Sequence, residues 1–181
     1  MPAKKVISRE KILEEALNIV RERGFEALNM RDLAKRCNCS TQPIYLSFSG
    51  VSELKEELLK IISGMFDSRV EREIKEGKYP EYKAIGMGYI FFAREEKELF
   101  KLLLMRSRTD ENEWEKTSFD KSTGIIMKNY GLYKDESHKL HAEMWIFVHG
   151  IATMLATGYF DWDDGMISDM LTDIFNGLTR K

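Results

Sequence analysis

Small polar and aromatic side chains between residues 40 and 47 have the composition of a surface that hydrogen-bonds to nucleic acid. They are Ser40, Thr41, Gln42, Pro43, Tyr45 and Ser47. On a short helix, Ile44 and Phe48 would turn inward and the polar members would face out near the helix N-terminus. Such side chains contact base edges and phosphates in the major groove. The stretch predicts a sequence-reading helix, although two short helices with a polar tip also occur in proteins that never bind DNA.

A second short helix must precede this one to hold its polar side chains in place. Asn29 suits the N-cap of that helix, and Asp32 lies in its first turn, where the helix dipole favours an anion. Asn38 tolerates left-handed backbone at the turn between the helices, and Ser40 is placed to cap the next helix. Residues 29–48 therefore predict a helix-turn-helix.

The other reactive side chains form no catalytic or metal-binding pattern. All three histidines fall on one predicted helix, where His141 and His149 would lie two turns, or ~12 Å, apart. That separation is too long for one metal ion, and no HExxH motif, phosphate-binding loop or G-x-S-x-G sequence is present. Cys37 and Cys39 occupy core positions beside the turn, as small hydrophobic residues do. We therefore expect no enzyme, metal site or cofactor.

The composition favours an all-α protein with a basic N-terminal end. Hydrophobic residues make up 43% of the 181 residues, and there are only three prolines. The net charge is −2, but residues 1–50 contain nine Lys and Arg against six Asp and Glu, which leaves −5 for the rest. A phosphate-facing head on an acidic body would have this asymmetry. Lys4, Lys5 and Arg9 are either solvated charges or a basic arm that adds phosphate contacts.

Apolar periodicity predicts further helices over residues 9–23, 52–75, 99–105, 113–129, 136–157 and 164–179, with another beginning near Pro80. The helix over residues 52–75 is long enough to bridge a head and a body. Asp135 is the expected cap of the helix over residues 136–157, and residues 106–112 read as a loop. The 17 uncharged residues 144–160 are at the lower limit for a membrane span and include polar groups, so we interpret them as a buried helix of a cytoplasmic protein.

The first 60 residues resemble the N-terminal domain of TetR-type transcriptional regulators. The matching features are Ile12 to Val20, Gly24-Phe25, Asn29-Met30-Arg31-Asp32-Leu33-Ala34, Ser40, Tyr45-x-x-Phe48 and Glu53-Leu54. The chain departs from the family at three positions: Asn38 replaces a common Gly, Gly50 replaces a Ser helix cap, and Val51 replaces a phosphate-binding Lys. Lys55, one turn later, is a candidate substitute for that Lys.

The body resembles the C-terminal domain of a TetR subgroup marked by a Trp-His-Gly signature. The similarity lies in Trp145-x-x-x-His149-Gly150-Ile151-Ala152, Tyr89-x-x-Phe92-Ala93 and Leu99-Phe100-x-Leu102, whereas Glu96-Lys97 replaces the subgroup's His-Pro. Methionine beside aromatic rings suits an adaptable apolar pocket, although each such residue could simply fill the core. The pocket residues expected are Met65, Tyr89, Phe92, Met105, Trp114, Trp145 and His149.

The resemblance implies a DNA-binding head of residues 1–52 and a body of residues 53–181 that binds a small apolar or amphipathic effector and forms a homodimer through its last two helices. Gln42 and Thr41 would read base edges. The full set of expected DNA contacts is Arg31, Ser40, Thr41, Gln42, Pro43, Tyr45, Ser47 and Lys55. The protein would be a ligand-responsive repressor on a palindromic operator with half-sites ~34–36 Å apart. The rival interpretation is a helical protein-interaction module whose helix-turn-helix no longer reads DNA.

Overall fold

The computed structural model describes residues 7–106 and 113–180, and within these ranges it contains nine α-helices and no strand. The helices are α1 (Arg9–Arg23), α2 (Met30–Arg36), α3 (Thr41–Ser47), α4 (Val51–Glu76), α5 (Glu81–Glu95), α6 (Lys97–Leu104), α7 (Glu113–Tyr130), α8 (Lys134–Ala156) and α9 (Asp164–Thr179). The all-α prediction is confirmed. The basic arm at Lys4 and Lys5, and residues 107–112 of the expected loop, lie outside the described residues.

The helix-turn-helix forms where the capping residues predicted it. The Asn29 side chain accepts a hydrogen bond of 2.9 Å from the Asp32 backbone N–H and so caps α2. Asn38 adopts a φ of 51° in the turn before α3. Helices of seven residues are not stable alone, so packing must hold α2 and α3. They share one buried core with α1 and α4, which includes Ile12, Ile19, Leu33, Ile44, Phe48, Leu54 and Leu58.

One capping hydrogen bond and one helix start differ from the prediction. Ser40 occupies the N-cap of α3, but its side chain makes no capping hydrogen bond, so it does not act as the predicted cap. α8 begins at Lys134, with Tyr133 rather than Asp135 at the N-cap. The reason is that Glu136 reaches back and accepts a hydrogen bond of 3.2 Å from the Tyr133 backbone N–H, which starts the first turn two residues earlier than predicted.

Glu53 stabilises the start of α4 in the absence of a side-chain cap at Gly50. The Ser49 backbone N–H and hydroxyl both donate to Glu53 Oε2, at 2.8 and 2.9 Å. The α4 helix of 26 residues is about 39 Å long. Its first half packs within the head and its second half packs along α5, so it connects head and body as one element.

A second contact joins the head to the body through α6. Arg21 of α1 pairs with Glu96, just before α6, at 2.8 Å, and α1 packs along α6. The body is completed by α5, α7, α8 and α9, which pack around one another. Within the described residues, no helix has both the length and the apolar character that crossing a membrane requires.

The α4 and α5 helices approach most closely at Gly88. A Cβ atom there would lie 2.8 Å from Val70 Cα, which is backbone and cannot move aside without shifting α4. Gly88→Ala is therefore expected to lower the free energy of unfolding by about 1–3 kcal/mol, measured by urea denaturation.

Gly64 on α4 provides the matched control, because a Cβ there meets no atom within 4 Å. Gly64→Ala is expected to raise the free energy of unfolding by about 0.5–1 kcal/mol, since alanine has the higher helix propensity. Equal effects of the two substitutions would show that the close approach of α4 and α5 does not limit stability.

Candidate nucleic-acid interface and ligand cavity

The outer face of α3 carries polar side chains that have no partner within the described part of the chain. Gln42 is exposed and Tyr45 is 56% exposed, and neither makes a hydrogen bond there. Thr41, Pro43 and Ser47 are half-buried beside them, and Ser40 is exposed at the start of the helix. The structure thus brings the predicted contact residues of α3 onto one accessible surface.

Leu46 belongs to the same surface, and sequence reasoning missed it. Leu46 is 82% exposed, although its side chain is as apolar as that of the buried Ile44. Position decides the difference, because Ile44 points into the hydrophobic core and Leu46 points away from it. An exposed leucine on a groove-reading helix can contact a thymine methyl group or a sugar.

The predicted phosphate contacts outside α3 have different environments. Arg31 is exposed on α2 and makes no ion pair or hydrogen bond with another described residue. The Lys55 ammonium instead lies 4.6 Å from the centre of the Phe25 ring, packed against the head itself. Arg9 is also engaged within the head, 3.2 Å from Glu53 and over the Phe48 ring. The phosphate contact of Lys55 stays a prediction.

A cavity of about 460 Å³ lies in the body, lined by all six helices from α4 to α9. Its wall is dominated by aromatic side chains: Phe66, Tyr82, Tyr89, Trp114, Phe119, Tyr130, Trp145 and Phe175. A volume of this size holds a small organic molecule. Aromatic walls of this kind favour an apolar or amphipathic ligand, because most of the contact surface cannot form hydrogen bonds.

The predicted pocket residues divide into two groups. The cavity wall includes Tyr89, Trp114 and Trp145, but it does not include Met65, Phe92, Met105 or His149. Leu104 takes the wall position at the end of α6 and Met105 is 40% exposed. Phe92 is buried behind the wall, with its ring 5.4 Å from the Phe66 ring.

His149 lies behind the wall and contacts two of its residues. Its ring stacks on Trp145 at 4.9 Å, and its Nδ1 shares a hydrogen bond of 2.7 Å with the Tyr89 hydroxyl. The Trp145-to-His149 spacing of one helical turn produces this stack. The sequence pattern thus identified His149 correctly as a neighbour of the wall, but His149 packs behind the wall and does not line the cavity. Phe100 covers the His149 ring on another side.

Polar side chains interrupt the aromatic wall at a few points: Lys83, Glu115, Ser118, Ser122, His141, Thr172 and Asn176. Sequence reasoning assigned none of these to the pocket. A signal was present on α7, where Trp114, Ser118 and Ser122 recur every four residues and therefore share a face. No group of three side chains in the described ranges could hold a metal ion.

The Tyr82 hydroxyl and His141 Nδ1 share a buried hydrogen bond of 2.9 Å at the cavity wall. Burial, together with a smaller effect of the nearby His138, lowers the pKa of His141 to about 4. Burial also raises the pKa of Tyr82 above its usual range. Both side chains are therefore uncharged at neutral pH.

Two charged side chains line the cavity. The Lys83 ammonium donates to Thr172 Oγ1 at 2.7 Å, and burial lowers the pKa of Lys83. The Glu115 carboxylate lies 3.9 Å from the Arg106 guanidinium.

The cavity wall includes part of α4 itself. The Phe66 ring makes edge-to-face contacts with Tyr89 of α5 at 5.3 Å and with Trp114 of α7 at 5.4 Å. The Trp114 indole N–H also donates to Asp67 Oδ2 at 2.9 Å. A molecule in the cavity would therefore contact, directly or through one side chain, the helix whose first half belongs to the head.

Two family models match the chain. One, described as bacterial regulatory proteins of the tetR family, matches residues 12–60, and one described as a tetracyclin repressor-like C-terminal domain matches residues 82–176. The uncharacterized HTH-type transcriptional regulator YerO of Bacillus subtilis (strain 168) is 26% identical over 192 residues, covering 96% of this chain and 66% of YerO. The chain thus spans slightly less than two thirds of the length of this relative.

Solved structures share the fold over nearly the whole chain. A protein of unknown function from Rhodococcus sp. RHA1 aligns with a TM-score of 0.81 and 19% identity, covering 99% of this chain and 100% of that one. A TetR-like transcriptional regulator from the same organism aligns with a TM-score of 0.71 and 16% identity, covering 96% and 97%. The Trp-His-Gly subgroup stays a prediction.

Proposed function

The chain belongs to the TetR family and is a DNA-binding transcriptional regulator, and we propose that it is a ligand-responsive repressor that binds a palindromic operator as a homodimer in the cytoplasm. The observation that carries this proposal is the arrangement of three parts: α3 presents a polar face in the head, the body contains a cavity, and α4 packs against α1 in the head and lines the cavity through Phe66. Regulation rather than catalysis is proposed, because both matching family models describe domains of transcriptional regulators.

The proposed operator contacts come from the accessible face of α3 and its neighbours. Gln42 and Thr41 would reach base edges, and Tyr45, Ser47 and Arg31 would contact phosphates. Ser40, Pro43 and Lys55 would complete the surface. The rival interpretation, a protein-interaction module with a disused helix-turn-helix, is not what the family matches indicate.

Exposed apolar side chains support a homodimer through α8 and α9. Ile146 and Met154 are two turns apart on α8, and Met166 and Leu178 are exposed on α9. Gly150 lies between Ile146 and Met154, where a Cβ would meet open space, so another helix can approach closely. Two copies related by a two-fold axis would cover these side chains in a four-helix interface.

The proposed mechanism is a shift between two spacings of the heads. A ligand against Phe66 and Trp114 favours one position of α4, and only a difference in ligand affinity between the two positions can shift the equilibrium. Coupling of ~1–3 kcal/mol would change operator affinity roughly 5- to 150-fold. The half-sites would lie ~34–36 Å apart in the binding-competent state.

Selection from random DNA followed by fluorescence anisotropy at two salt concentrations tests this function. We expect an enriched palindrome, two protomers per site and an affinity that falls steeply with salt, because each phosphate contact releases a counterion. A protein that enriches no sequence would contradict the regulator function in favour of the interaction module. A flat salt dependence would contradict the phosphate contacts.

Tyr45→Ala is expected to weaken operator binding by about tenfold, because a dimer loses two tyrosine contacts at once. The side chain is exposed, so the melting temperature should not change. Tyr133→Ala is the matched control, since Tyr133 is also an exposed tyrosine but lies in the body. Equal affinities of the two variants would remove Tyr45 from the interface.

A further inference from the structure

Lys83 is the only Lys or Arg on the cavity wall among the described residues. Its ammonium has a hydroxyl partner, Thr172, but no carboxylate of the described ranges lies within ion-pair distance. Asp169 attracts the ammonium electrostatically without forming an ion pair. Desolvation of an ammonium that has no anionic partner is unfavourable, and an anion in the cavity would relieve it.

The other charge on the wall is already balanced. Glu115 lies beside the Arg106 guanidinium, so this carboxylate adds no net negative charge to the cavity wall. The Tyr82–His141 pair is neutral for the reasons given above. The cavity wall therefore carries one ammonium that lies 5.5 Å from the centre of the Tyr79 ring but forms no ion pair with a carboxylate of the described residues.

Side chains suited to the apolar part of a ligand line the same cavity as Lys83. Phe175 follows Thr172 by about one turn on α9, and its ring contacts Tyr130 at 4.9 Å and Tyr82 at 6.1 Å. Asn176 is the next residue and also lines the cavity. The Lys83 ammonium and the Thr172 hydroxyl thus meet at an aromatic surface that also carries an amide, and such a surface suits an acid headgroup next to an apolar body.

We propose that the effector is an amphipathic carboxylate, with its acid group at Lys83 and Thr172 and its apolar body against the aromatic wall. This assignment rests on the ligand-responsive function proposed above. A cationic ligand would be repelled by Lys83, and Glu115 would not attract it because the Glu115 carboxylate is already paired with Arg106. A neutral ligand would leave the ammonium without a charge partner.

The test compares three probes with the same apolar chain: decanoate, decanamide and decylammonium. Isothermal titration calorimetry should show decanoate binding at least about tenfold more tightly than decanamide, and decylammonium binding most weakly, because the charge-assisted hydrogen bond is the stronger one. Lys83→Met keeps an unbranched apolar stem and should remove the preference for decanoate, whereas Lys83→Arg should retain it.

Lys139→Met is the matched control, since Lys139 is an exposed lysine of α8 outside the cavity wall and its replacement should leave all three affinities unchanged. Circular dichroism confirms that each variant is folded. Equal affinity for the three probes, tightest binding of decylammonium, or no binding of any probe would overturn the proposal.

Operator binding measured separately distinguishes this inference from the function on which it rests. Selective DNA binding without a carboxylate preference would refute the ligand class and leave the regulator intact. A Lys83-dependent carboxylate preference in a protein that selects no DNA would support the ligand class and refute the regulator.

Discussion

Arg69→Met is expected to lower the free energy of unfolding by about 3–5 kcal/mol, measured by urea denaturation. The Arg69 guanidinium forms an ion pair with Glu73, whose side chain is buried on α4. It also makes two hydrogen bonds to Glu95 of α5, at 2.9 and 3.1 Å. Methionine keeps much of the arginine stem but leaves the buried Glu73 carboxylate without its cation, and that loss accounts for the large effect.

Two further variants separate the buried charge from the exposed one. The double variant Arg69→Met, Glu73→Leu removes both charges and should recover most of the lost stability, because an apolar pair of similar volume replaces a buried ion pair at little cost. Glu95→Gln should change stability by less than about 1 kcal/mol, since Glu95 is half-exposed. A double variant no more stable than Arg69→Met would contradict this account.

Ile146→Asp is expected to convert the proposed dimer to monomers and to weaken operator binding by at least about 100-fold. Ile146 is 66% exposed on the proposed interface of α8, and a dimer of the variant would bury one carboxylate from each copy in that interface. A monomer brings only one head to the operator, so the second half-site no longer benefits from a high effective concentration. Analytical ultracentrifugation and fluorescence anisotropy measure the two effects.

Met127→Asp serves as the control for this substitution. Met127 is also a large exposed apolar residue, but it lies on α7, away from the proposed interface. It should leave both the sedimentation coefficient and operator affinity unchanged. An Ile146→Asp protein that remains dimeric would place the interface on another face of the molecule.

Local sequence signals predicted the helices well where capping and periodicity agreed. Asn29 capped α2 as expected, and α9 spans Asp164–Thr179 as its apolar stripe indicated. The predicted start of α8 was wrong, because Asp135 and Glu136 both lie in its first turn and either could serve as a capping residue. Only the structure shows that Glu136 accepts a hydrogen bond from the Tyr133 backbone N–H. Periodicity locates a helix to within a turn, whereas its cap depends on one hydrogen bond.

The cavity was harder to predict, because helical periodicity separates buried from exposed faces but does not distinguish a buried wall from a buried support. Trp145 and His149 share a face of α8, yet only Trp145 lines the cavity. Phe92 has the same apolar character as Phe66 and lies behind it. The neighbours of each side chain, rather than its type, decide which of them meets empty space.

The all-α architecture, the helix-turn-helix and the family resemblance could be predicted from the sequence alone, because each depends on residue types a few positions apart. The contact of Lys83 with Thr172 across 89 positions of sequence, and the hydrogen bond of Trp114 to Asp67 of α4, could be seen only in the folded chain. Contacts of that kind join helices whose separation along the chain carries no periodic signal. They arise from the packing of whole helices, which is why the ligand chemistry became visible only with the fold.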